Sequence, residues 1–186
     1  MMNLSDKDLL GKGTNKCVYY HPTDPDKCIK FSLDSSDESD IKYELEFRRI
    51  CKARVEKSTI LTKYFGEIET NLGTGYMFEL IRDFDGKLSE TFEAFVKRDD
   101  SIKNATRLLK DFRTRLFKEE IVTYTIFPDN LMVQRISETE QRIRIIDGIG
   151  MHVLLPIPYF SSRVAKAREK RVWRKFLDSL LDIYER

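Results

Sequence analysis

The sequence predicts an α+β fold of two lobes, and three observations carry that reading. Residues 1–81 hold short β-prone runs separated by turn formers, with one amphipathic helical stretch among them. Residues 102–119 place Ile102, Ala105, Leu108, Phe112 and Leu116 at steps of three or four, a buried helical stripe. The chain then closes on an Arg- and Lys-rich stretch with apolar residues at helical spacing. The expected division is therefore a five-stranded antiparallel sheet with one helix over 1–81 and a compact, mainly helical part over 82–186, sharing a cleft.

Each element has a local reason. Asp8 to Leu10 leads into the turn Gly11-Lys12-Gly13-Thr14-Asn15, after which Cys17-Val18-Tyr19-Tyr20 is β-prone. His21-Pro22-Thr23-Asp24-Pro25-Asp26 is dense in turn formers, and Cys28-Ile29-Lys30-Phe31 resumes a strand. Asp34 to Asp40 reads as an acidic, serine-rich loop, and Ile41 to Ala53 as one helix with Tyr43, Phe47, Ile50 and Cys51 on a face. Tyr64 to Thr70 and Tyr76 to Ile81 read as strands joined through Asn71 to Gly75. Ser89 is placed to cap a short helix carrying Phe92, Phe95 and Val96. Leu131 to Val133 and Ile143 to Ile146 form two further strands.

Composition excludes several classes. Thirty-three basic against 31 acidic side chains give a net charge of +2, which makes no global case for nucleic acid or membrane binding. Cys17, Cys28 and Cys51 lack metal-ligand spacing, and their odd number argues against a disulfide framework and for a reducing, cytoplasmic setting. The longest apolar run, Val153 to Phe160, contains two prolines and is too short to span a bilayer. Residues 1–10 carry no signal-peptide apolar stretch.

The chemistry lies in the order of otherwise ordinary motifs. A glycine turn between strands, Gly11-Lys12-Gly13, lets backbone N–H groups approach phosphate oxygens. Lys30 on the third strand can reach the same phosphates, and a glutamate on the following helix would hold it. Much later, Asn130 after Pro128-Asp129 and Asp147 after a strand supply hard oxygen ligands suited to Mg2+. This is the parts inventory of protein kinases, with ATP and magnesium as the implied cofactors.

The chain also resembles the PhoP regulatory network protein YrbL family. Leu10-Gly11-Lys12-Gly13, His21-Pro22 and Cys28-Ile29-Lys30 resemble its beginning. Gly73-Thr74-Gly75-Tyr76, Asp83-Phe84-Asp85-Gly86-Lys87 and Pro128-Asp129-Asn130-Leu131 resemble its later parts, so the likeness runs over nearly the whole chain. The resemblance implies a fold related to protein kinases. Carried over from kinases, Gly11 and Gly13 match the first two loop glycines, with Lys16 in place of the third, and Val18 matches the residue covering adenine. Lys30 matches the phosphate-pairing lysine, with Glu44 as its partner and Glu46 as the alternative. Backbone groups of Glu79 and Ile81 match the adenine-reading hinge, and Asn130 and Asp147 the metal ligands. Gly148-Ile149 follows Asp147 where Phe-Gly is usual.

Two departures bear on turnover. Thr125 stands where the catalytic aspartate is expected, and Phe127 where a lysine is expected. A threonine hydroxyl cannot serve as a carboxylate base at neutral pH. The residues after Asp147 contain no Ala-Pro-Glu sequence and leave no room for a large peptide-docking platform. The expectation is a Mg-ATP-binding, slow or atypical phosphotransferase, the alternative being a pseudokinase that acts as a nucleotide-dependent interaction module. Arg163, Lys166, Arg168, Lys170, Arg171, Arg174 and Lys175, opposed by Glu169, read as a solvated helix face. The sharper reading makes that face a contact for an acidic protein, a phosphorylated group or an anionic membrane surface. Val164, Ala167, Val172, Phe176, Leu180 and Leu181 are its expected apolar side, and Trp173 suits a core or an interface.

Overall fold

The computed structural model describes residues 1–13, 16–33, 38–98, 102–151 and 156–184. The expected loop over Asp34 to Asp40 falls partly outside them, as does the apolar run from Val153.

The first sheet forms from β1 (Leu9–Lys12), β2 (Lys16–Tyr20), β3 (Lys27–Ser32), β4 (Tyr64–Thr70) and β5 (Gly73–Glu79). Its order is β1-β2-β3-β5-β4, every neighbouring pair antiparallel. Side chains alternate across a strand. On β3, Ile29 and Phe31 therefore join Leu4 and Cys17 on one side, while Cys28 packs with Phe78 and Leu80 on the other. Lys30 shares the side of Cys28 by that alternation, and its register partners are Val18 on β2 and Tyr76 on β5.

Between β3 and β4 lie α1 (Glu38–Ile50) and α2 (Lys52–Lys57). The single expected helix is thus interrupted at Cys51, and residues 38–40, expected in a loop, already belong to α1. The remainder holds β6 (Glu90–Thr91), α3 (Phe92–Val96), α4 (Ile102–Lys118), β7 (Leu131–Arg135), β8 (Gln141–Ile145), α5 (Ile157–Phe160) and α6 (Ser162–Tyr184). A second antiparallel sheet runs β6-β7-β8, so the expected hairpin gains a two-residue strand. Thr91, rather than Ser89, caps α3, its hydroxyl accepting from the Ala94 N–H at 3.1 Å.

The main core draws Leu108, Phe112 and Leu116 from α4, Ile143 and Ile145 from β8, and Trp173 and Phe176 from α6. Trp173 packs with tilted rings against Phe112 and Phe176 and is buried, which settles it as a core anchor. The inner face of α6 is Ala165, Glu169, Val172, Trp173, Phe176 and Leu180. Val164 and Leu181, expected on that side, are exposed, and Glu169, expected among the solvated charges, is 1% exposed. Phe47 of α1 and Cys51 just after it, with Ile60 and Leu61, also belong to this main core, although they lie within residues 1–81. No helix among the described residues is long and apolar enough to cross a membrane.

Candidate functional site

Strand β3 turns Lys30 into the interior, 7% exposed. Its ammonium lies 4.3 Å from the centre of the Phe78 ring and donates a hydrogen bond to the Ile146 carbonyl, just beyond β8. The next residue is Asp147. Lys30 is thereby joined to the segment that carries the aspartate.

Glu44 faces inward and Glu46 outward, which favours the first choice of partner. The expected Lys30–Glu44 ion pair is nevertheless not formed. Arg48, one turn along α1, donates to Glu44 Oε1 from Nε at 2.9 Å and from its terminal nitrogen at 2.6 Å. The same guanidinium reaches the Thr62 carbonyl at 2.9 Å. Residues four apart share a helix face, and a buried bidentate arginine outcompetes a lysine on another element.

Asp147 is held from three sides. Lys16 Nζ lies 2.7 Å from both carboxylate oxygens, and the Gly148 N–H donates to Oδ1 at 2.8 Å. Burial pushes the Asp147 pKa up, but the charges of Lys30 and Lys16 and these hydrogen bonds outweigh it, leaving the carboxyl below its ordinary value. Lys16 was expected only as a missing glycine; it is a cleft residue, and its charge at the third-glycine position was the signal.

After Asp147 the chain needs glycine twice. Gly148 has φ +85°, and a Cβ there would come within 2.3 Å of the Thr125 carbonyl oxygen. Gly150 has φ +88°, and its Cβ would meet the Tyr43 carbonyl oxygen at 2.4 Å. The first contact sets Thr125 beside the aspartate; the second seats the segment on α1. Backbone bonds from Tyr124 N–H to Gly148 O (2.7 Å) and Gly150 N–H to Val122 O (2.9 Å) fix the two segments together.

Two neighbouring hollows adjoin this segment. One, of about 320 Å3, is lined by Leu10, Gly11, Val18, Cys28, Leu80 and Met132, with Glu79, Ile81, Lys30 and Ile146 at its edges. The Ile81 N–H has no partner among the described residues, whereas the Glu79 N–H is taken by the Lys63 carbonyl at 2.9 Å. The other hollow, of about 190 Å3, is of mixed lining, with the charged Lys16 and Asp147 beside Tyr124, Thr125, Phe127 and Asn130. The Asn130 side chain has no hydrogen-bond partner among the described residues, and its backbone joins β8 through Ile146 N–H to Asn130 O at 3.0 Å. Asp129 points out to solvent. A larger hollow of about 600 Å3 lies beyond Arg48, between α1, α2 and β4, and contains none of the expected site residues.

Glu169 completes the arrangement from below. Its carboxylate accepts from the Thr123 N–H at 3.0 Å and the Thr123 hydroxyl at 2.8 Å, anchoring the loop that presents Thr125. Burial raises its pKa to about 7 against the opposing pull of those bonds. The Asp83 to Lys87 segment, by contrast, ties the molecule together: Asp83 accepts from Ser89 Oγ at 2.6 Å and Arg135 Nε at 2.7 Å.

A profile of the family described as PhoP regulatory network protein YrbL matches residues 2–181. The chain belongs to the YrbL family. It is 33% identical over 182 residues to "Uncharacterized protein YrbL" of Escherichia coli strain K12, covering 95% of this chain and 87% of that protein. The protein of the same description from Shigella flexneri matches with the same identity and coverage. For a member of the YrbL family, the site is thus a cleft with lysines on the sheet side and an amide and a carboxylate opposite. Among the described residues no group of three His, Cys, Asp or Glu side chains could hold a metal on its own. Asn130 and Asp147 fit Mg2+ as hard oxygen donors, an ion that commonly takes its other ligands from water and phosphate.

Proposed function

We propose that this protein binds Mg-ATP in a kinase-like, two-lobed manner and transfers phosphate slowly. The observation that carries the reading is that consecutive residues line two neighbouring hollows: Ile146, which accepts from Lys30, lines the apolar one, and Asp147 lines the one that holds Lys16 and Asn130. An apolar slot beside a hollow that carries Lys16, Asn130 and Asp147 suits a base at one end and phosphates at the other. Val18 and Met132 would flank the adenine and the free Ile81 N–H would read its edge. Lys30 and the end of β1 at Gly11-Lys12-Gly13, expected as a turn but with Gly11 and Lys12 paired to β2, would hold phosphates. Neither glycine is crowded by the protein: a Cβ on Gly11 would meet nothing within 4 Å, and on Gly13 only the Lys16 carbonyl at 3.7 Å. The room lies where a ligand's backbone-bound phosphates would need it.

Magnesium would neutralise developing charge on the phosphates, with Asn130 and Asp147 as its protein ligands. Positioning and electrostatics supply most of phosphoryl-transfer catalysis, and a missing general base costs about 10²–10⁴-fold. Thr125 therefore favours slow turnover. The same residue supports the second reading, a pseudokinase in which nucleotide binding alone is the signal. The ion pair of Arg48 with Glu44, which leaves Lys30 without its carboxylate partner, points the same way.

Nucleotide titration tests both. Mg-ATP at a hundredfold excess over Kd should raise the melting temperature by about 5–10 °C. Lys30→Ala and Asp147→Ala should each remove most of that shift. Unchanged shifts in both variants would place the nucleotide elsewhere, and labelled product from γ-labelled ATP separates transferase from pseudokinase.

A further inference from the structure

The Lys16 ammonium sits symmetrically on the Asp147 carboxylate, 2.7 Å from each oxygen, in the position a bidentate cation takes. Its side chain is only 15% exposed, and Asp40 stands 4.0 Å away as a second anion. The placement is built by the fold. Lys16 opens β2 immediately after the glycine turn, which is closed by the Gly13 N–H donating to the Lys16 carbonyl at 2.8 Å. From there the side chain crosses the cleft to the end of β8. A glycine at this position could make no such contact.

We infer that Lys16 is the resident cation of the cleft, holding Asp147 in place of a divalent ion and releasing it when nucleotide phosphates offer the ammonium another anion. The inference rests on the Mg-ATP reading and adds a coupling to it. A metal ion arriving alone meets a carboxylate already neutralised by Lys16, with the Lys30 ammonium also acting on it. A metal ion arriving with nucleotide brings the phosphate charge to which Lys16 and Lys30 can turn. Metal and nucleotide must therefore bind with positive coupling, and by linkage each raises the other's affinity by the same factor. Lys16 thus becomes a phosphate ligand in the loaded state and a metal substitute in the empty one.

The test uses Mn2+ as the probe ion, followed by the loss of its free-ion paramagnetic resonance signal, with and without a non-hydrolysable ATP analogue. Wild type should bind Mn2+ weakly alone and at least about tenfold more tightly with the analogue, within the usual range of coupling. Lys16→Met should bind Mn2+ alone with affinity near that of the loaded wild type, and the coupling should collapse. Lys16→Arg, which keeps the charge, should behave as wild type, and matched melting temperatures show that the variants are folded. Equal affinity of wild type and Lys16→Met for Mn2+ alone, with the analogue still binding, overturns the inference and leaves the nucleotide reading standing. Failure of the analogue to bind any of the three proteins overturns the nucleotide reading, and the inference with it.

Discussion

At the scale of single residues, the cleft is decided by where charges find partners. Lys30 was legible because a lysine in a β-branched and aromatic run must either end in solvent or find a carbonyl or an anion inside; it finds the Ile146 carbonyl. The partner of Glu44 was not legible, because the competing donor, Arg48, sits on the same helix and its advantage lies in forked geometry. Thr125 lines the smaller hollow, half-buried, beside Asp147. If the missing carboxylate limits turnover, Thr125→Asp should raise ATP hydrolysis or autophosphorylation at least about tenfold, short of the roughly 10²–10⁴-fold a general base supplies. Nucleotide affinity should stay nearly constant, since a base acts on the transition state. Phe127 still stands where a charge-stabilising lysine is usual, which caps the gain. A wild-type rate already in the ordinary kinase range would show that the carboxylate is not what is missing.

At the scale of elements, strands and long helices were readable from periodicity, and what escaped was short or doubly determined. β6 spans two residues, too few for any alternation to register, and exists because β7 offers it an edge. The break at Cys51 was hidden inside a continuous helical pattern. Glu169 was misread for a different reason: its charge placed it among neighbouring basic residues, although Ala165, Glu169, Val172 and Phe176 fall on one helical face. That spacing was the overlooked signal. The resulting tie between α6 and Thr123 gives a pH dependence. A carboxyl whose folded pKa is raised from 4.5 to about 7 stabilises the fold fully below the lower value. That stability is lost as pH rises through about 7, up to about 3 kcal/mol. Glu169→Gln, which keeps an acceptor for the Thr123 N–H, should flatten unfolding free energy measured between pH 4.5 and 8. A variant that retains the wild-type slope would assign that slope to another group.

At the scale of the whole molecule, the cores do not follow the order of the chain. The sheet keeps its own clusters around Ile29 and Phe31 on one side and Phe78 on the other, while α1 contributes Phe47 to the main core. A sequence can announce that α1 is amphipathic, but not which of two apolar surfaces receives it. Amide hydrogen exchange should therefore group α1 with β7, β8 and α4, and separately from β1 to β3. Protection of α1 that tracks β1 to β3 instead would show that the sheet and helix open as one. The seat of Gly150 on the Tyr43 carbonyl then acquires a mechanical meaning. It packs α1, the carrier of Glu44 and Arg48, directly against the strip bearing Asp147. Lys16 and Lys30 belong to the sheet, and their bonds to Asp147 and to the Ile146 carbonyl tether it to that strip. Separating the sheet from that strip must break both tethers.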